Sequence, residues 1–90
     1  MIKELGPEGA RKLMARLADL AAASNMAQVR RGHPHPLSGN FQGCIGLNLD
    51  GGRRLVVEPT AEPPPMLPDG GLDWSKVDAV RVVFIGDYHG

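Results

Sequence analysis

Apolar residues recur at three- and four-residue steps near the start of the chain. Ala10, Leu13, Met14, Leu17, Leu20 and Ala21 trace one face of an amphipathic helix, and Arg11, Lys12, Arg16 and Asp19 fall mostly off it. Pro7 after Gly6 suits a first helical turn, where a missing N–H costs nothing. Glu8 then sits near the positive end of the helix dipole. The spacing predicts a helix over 7–23 whose bases form a solvated face. Asn25 is placed to cap a short turn over 26–30.

The pattern changes after that. Gly32, Pro34, Pro36 and Gly39 punctuate residues 31–43, and each residue before proline is pushed toward extended geometry, so this stretch reads as a loop. Residues 41–49 alternate loosely, with Ile45, Leu47 and Leu49 on one side and Gly43 and Gly46 as places to bend or bulge. Asp50-Gly51-Gly52 is a turn signal between this run and a second strand over 53–58, which predicts a hairpin. Five prolines between 59 and 71 predict a stiff, polyproline-like excursion, long enough to invite a functional or partner role and equally readable as an inert insertion. Asp73-Trp74-Ser75-Lys76 reads as a short capped turn. The β-branched run over 77–86 predicts a last, central strand. The expected fold class is α+β: a single domain over 1–90, with an N-terminal helix packed on one face of a small antiparallel sheet of three strands.

Composition narrows the chemistry. Ninety residues leave room for one core, and with 42% hydrophobic but only 4% aromatic residues that core must be aliphatic. A single cysteine, Cys44, excludes an internal disulfide and any zinc site that needs two thiolates, and it fits a reducing cytosol. No apolar run approaches a membrane span of about 20 residues. No leader opens the chain, so a cytoplasmic enzyme or binding module is expected. The formal charge is zero, but it is unevenly spread. Residues 1–45 carry six bases against three acids, and residues 46–90 carry four against seven. A neutral total therefore leaves room for a local anion site in the first half.

Phosphate-cradling glycine loops and the G-x-S-x-G nucleophile turn are both missing from the sequence. His33 and His35, with Cys44 and His89, match no standard metal-ligand spacing. What remains is a set of polar residues at expected strand ends: His35, Arg53, Arg54, Asp87, Tyr88 and His89. Taken singly each has an ordinary reading, as a solvated arginine pair, a loop cap or a chain end. Together they hold what RNA cleavage without a metal requires. Imidazole moves protons near neutral pH, guanidinium matches phosphate oxygens, and phenol offers a ring face and a hydroxyl.

The run His35-Pro36-Leu37-Ser38-Gly39-Asn40, then Gly43, then Gly52-Arg53-Arg54-Leu55 and a closing Asp87-Tyr88-His89 resembles the RelE/ParE superfamily of toxins from type II toxin–antitoxin systems. It is most similar to the HigB-like killer-protein branch. That branch shows H-P-L-K-G-[DN], a hairpin strand beginning W-R-[IL]-[TV]-F, and D-Y-H. The resemblance runs over about 7–89, and His35 and Arg54 stand nineteen residues apart without a gap. It implies a RelE-like fold and a metal-independent endoribonuclease, an mRNA interferase acting on the ribosome and leaving a 2′,3′-cyclic phosphate. It also implies a cognate helix-turn-helix, HigA-like antitoxin as partner. His35 and His89 resemble residues for proton transfer or substrate positioning, and Arg54 the arginine at the scissile phosphate. Tyr88 resembles a nucleotide-stacking residue, supported by Asp87.

Two departures from the pattern matter. The family's lysine is Ser38 here, leaving Arg53, Arg30 and Arg31 as the remaining RNA-binding cations. The chain opens near where the family's first helix ends, so the usual first strand is expected to be missing: either the start is misassigned or truncated, or another chain supplies the cover by dimerisation or strand exchange. Two other readings stay open: a weak or inactive module of the same fold that binds an antitoxin, and a ParE-like gyrase inhibitor, against which D-Y-H argues.

Overall fold

The computed structural model describes residues 6–49 and 52–87, Asp87 by its backbone alone. Helix α1 spans Gly6–Ala22. Four strands follow: β1 His35–Pro36, β2 Ile45–Asn48, β3 Arg53–Pro59 and β4 Val80–Asp87. Single 3-10 turns lie at Met26–Gln28, Gly39–Phe41 and Trp74–Lys76. The strands form one antiparallel sheet in the order β1-β2-β3-β4. The molecule is therefore α+β, a helix followed by a four-stranded antiparallel sheet.

Strand alternation divides the sheet into two faces. Ile45 and Leu47 of β2 and Leu55 and Val57 of β3 point one way, and all four are fully buried. They pack with Leu13 of α1, with Met26, Val29 and Val77, and with partly buried Leu17, Leu20, Trp74 and Ile85. This is the aliphatic core that the composition requires. The backbone N–H of Met26 donates to the Val77 carbonyl at 2.8 Å and ties the segment after α1 to the approach to β4.

Several expectations are corrected. The sheet has four strands, because His35–Pro36 pairs with β2 inside the stretch read as loop. The extended geometry that proline imposes on His35 is what lets it pair. Among the described residues β4 lies at the sheet edge, not its centre, and Val82 and Val83 are 46% and 44% exposed. Its β-branched residues report strand geometry rather than burial on both sides. The helix face is rotated from the expected one: Met14 is 65% exposed and Ala21 exposed, while Gly9 and Leu13 are buried. Arg16 and Asp19 are not on a solvated face. They form a half-buried ion pair at 3.0 Å, and the Arg16 stem packs against Gly32. Arg11 on the outer face does pair in solvent, with Glu8. Asn25 occupies the cap position but makes no capping bond through its side chain.

Gly46 sits in the interior of β2 and bends nothing. The register shift in the sheet lies between Val56 and Val57, against β4. The proline-rich segment is no rod. Leu67 N–H donates to the Gly71 carbonyl at 2.6 Å and Asp73 N–H to the Pro65 carbonyl at 3.0 Å, so the chain folds back on itself and bridges Met66 to Leu72.

Candidate functional site

The second sheet face carries the polar residues. Register places His35, Gly46, Val56 and Phe84 directly opposite one another in a rung that crosses all four strands. Two residues along, Asn48, Arg54 and Gly86 form a parallel rung on the same face. His35 and Arg54 are thus brought to one face from positions nineteen apart in sequence. Two strand spacings of about 4.8 Å and one two-residue step give a Cα separation of roughly 12 Å.

The His35 imidazole is held in a defined state. Its Nδ1 lies 2.8 Å from the His33 carbonyl oxygen. A carbonyl only accepts, so Nδ1 is the donor, and in the neutral form of the ring this leaves the lone pair on Nε2. That nitrogen lies over the α-carbon of Gly46, where a Cβ would come within 3.2 Å of Nε2 and 3.1 Å of Leu37 Cδ2. Glycine is needed in β2 for clearance, so that a ring from β1 can lie across the sheet. The loop that brings His35 here is anchored by Asn48 N–H donating to the Gly32 carbonyl at 2.6 Å, with Gly32 at φ +82°. A side chain at Gly32 would meet both that strain and the Arg16 stem at 2.8 Å.

Arg54 is half-buried, and its Nη1 donates to the Gly52 carbonyl at 3.1 Å. This bond turns the guanidinium toward the hairpin end, away from the imidazole. Contact with one phosphodiester shared with His35 therefore requires Arg54 to swing inward. Arg53 alternates to the opposite face of β3 and pairs in register with Asp87. It does not share the His35–Arg54 face. Arg30 and Arg31 line an open hollow beside the end of α1, with Asp19 and Gln28, and so belong to the helix side. Ser38 is exposed at the turn before Gly39–Phe41. Tyr88 and His89 lie outside the described residues, as does the side chain of Asp87.

The same face holds residues that motif reading passed over. Phe84 and Phe41 stack tilted with ring centroids 5.4 Å apart, beside the His35 rung. His33 lies against His35 with ring centroids at 5.8 Å. Asn48, opposite Arg54, keeps a buried Oδ1 without a hydrogen-bond donor. Phe84 stands two residues before Gly86 in unbroken register with Val56 and Arg54, but only the strand pairing, which no local pattern encodes, shows that it shares their face.

Cys44 is buried immediately before β2, where burial first and the Glu58 carboxylate second push its thiol above the ordinary range. Glu58 itself accepts from Arg81 Nε at 2.7 Å. Among the described residues no group of three or more His, Cys, Asp and Glu side chains gathers as a metal site, and no helix is long and apolar enough to cross a membrane. No family model, curated protein or solved structure matches the chain.

Proposed function

We propose that the chain is a cytoplasmic, HigB-like toxin of the RelE/ParE superfamily, a metal-independent endoribonuclease that cuts mRNA and is held in check by a helix-turn-helix antitoxin. One observation carries this reading: the His35 imidazole, its Nδ1 tied to the His33 carbonyl, lies on the sheet face that also bears Arg54. A neutral imidazole so held is arranged as a general base. The order of helix and antiparallel sheet is compatible with a RelE-like fold.

In the proposed reaction His35 Nε2 takes the proton of a ribose 2′-hydroxyl. The 2′-oxygen bonds to phosphorus, and the bond from phosphorus to the 5′-oxygen breaks. Arg54 neutralises the charge that builds on the non-bridging oxygens. The products are a 2′,3′-cyclic phosphate and a 5′-hydroxyl. The tilted Phe41–Phe84 pair offers a ring surface on which an unstacked base can rest. Ser38 supplies no charge where the family has lysine. One missing contact to a developing oxyanion costs about 3 kcal/mol of barrier, near 10²-fold in rate.

The test is induction of the chain in a bacterial host, with growth and the 5′ ends of mRNA followed together. Arrest with new 5′ ends, both lost in His35→Gln and in Arg54→Ala, is the expected result. Arrest without cleavage overturns the nuclease reading in favour of gyrase inhibition. Silence of the unaltered chain, with antitoxin binding retained, points to the inactive module.

A further inference from the structure

His33 is the one imidazole that the described residues place against His35. Three observations single it out. Its ring centroid is 5.8 Å from that of His35, with the planes tilted by 40°. Its carbonyl receives the His35 Nδ1 proton at 2.8 Å. Its own backbone is held at φ 51°, and no other described non-glycine residue has a positive φ. A side chain in that region costs of order 1–2 kcal/mol, and such outliers persist where the surroundings over-determine them. Here the conformation does two things at once: it aims the carbonyl at His35 and leaves the His33 ring exposed beside it.

We propose that His33 is the general acid of the same RNA cleavage, giving a proton to the departing 5′-oxygen while His35 takes one from the 2′-hydroxyl. This rests on the nuclease reading above. Cleavage by 2′-attack needs one group to accept a proton and a second to donate one across the same phosphorus. His35 fills only the first role, because its Nδ1 proton is committed to a carbonyl. After the step His35 is protonated and His33 neutral, and exchange with water restores both. His89 is then left to position substrate, one of the two roles its resemblance implies. The charged groups on the same sheet face are Arg54, Glu58 and Arg81; Arg31 lies two residues before His33 in the chain, and Arg16 packs behind Gly32.

The structural alternative is specific. If only its backbone carbonyl matters, His33 is replaceable without loss by any residue that accepts positive φ. His33→Gly separates the two cases: it keeps the carbonyl, suits the backbone and removes only the ring. The measurement is the single-turnover cleavage rate of a defined mRNA on programmed ribosomes across pH. Each variant is taken as a ratio to the unaltered chain, and thermal midpoints are recorded alongside. The expected result is a loss of about 10²-fold or more in His33→Gly, with a midpoint equal or higher. The fall in rate on the alkaline side, which reports a required acid, disappears. His33→Asn, which also accepts this backbone, behaves the same way. Wild-type rates and an unchanged profile in either variant overturn the proposal. If His35→Gln is silent as well, the nuclease reading itself fails. If His35→Gln abolishes cleavage while His33→Gly does not, only the role of His33 falls.

Discussion

Gly46 gives the sharpest test of how the sheet positions chemistry. Replacing it with alanine puts a Cβ 3.1 and 3.3 Å from the two Leu37 methyls and 3.2 Å from His35 Nε2. Each neighbour must withdraw by a few tenths of an ångström. Overpacking of this kind costs about 1–3 kcal/mol. Loss of unfolded-state freedom on going from glycine to alanine returns about 0.4–1 kcal/mol. The net expectation is a destabilisation of about 1–2 kcal/mol, which in a domain of this size lowers the thermal midpoint by roughly 5–10 °C. Misplacement of a reacting group by about 1 Å costs near 10²-fold, so a shift of a few tenths should cost roughly 10-fold in cleavage. The double variant Gly46→Ala with Leu37→Ala separates the two effects. Removing the leucine methyls takes away two of the three close contacts, so the stability penalties of the two substitutions should add to less than their sum, while the cleavage defect stays. Calorimetry and single-turnover cleavage read the two arms. A Gly46→Ala protein that loses stability but cleaves at the wild-type rate would show that Nε2 is not the reacting nitrogen, and the argument from the rung would be refuted.

Leu55→Ala should cost about 2–5 kcal/mol, since the side chain is fully buried between β2, β4 and α1; urea unfolding measures it. Arg81→Ala should cost less than about 1 kcal/mol, because its pair with Glu58 is exposed and screened; equal stability at low and at high salt in the variant, against a small salt dependence in the parent, checks this. The raised Cys44 thiol carries a sign. Its folded value lies above the unfolded one, so the unfolded chain releases the proton first as pH rises, and stability falls from the ordinary thiol range up through the folded value. Cys44→Ala should flatten that alkaline slope in urea midpoints, and an unchanged slope would remove Cys44 as its cause.

Much of the architecture was legible because it depends on local periodicity. The apolar steps of α1, the glycine-rich turn before Arg53 and the alternation of Ile45 and Leu47 each act through a few neighbouring residues; α1 and β3 lie within a residue of the expected bounds, whereas β2 is confined to Ile45–Asn48 of the expected 41–49. What could not be read was long-range. β1 is two residues long and carries no periodicity; it exists because Gly46 leaves room across from it and Asn48 holds the Gly32 carbonyl. The edge position of β4 depends on pairing order, which composition does not encode. The candidate site shows the same division. His35 and Arg54 could be named from motifs, but the roles of His33 and Gly46 arise from contacts between strands.

The two-residue strand is also why the proposed base is placed as it is. An imidazole on a free loop would sample many rotamers and either tautomer, and holding it for reaction would cost entropy at the moment of chemistry. Pairing with Gly46 and Ile45 fixes the backbone of His35 and Pro36. The proline adds its own restriction on the residue before it. The His33 carbonyl then selects the tautomer. Three constraints from three sources converge on one ring, and only one of them, the strand pairing, depends on the stability of the sheet. Substitutions that weaken the core without reaching β1 should therefore lower the thermal midpoint and leave cleavage by the folded fraction unchanged. Leu55→Ala and Gly46→Ala then differ in kind: the first reduces how much protein is folded, and the second alters what the folded protein does.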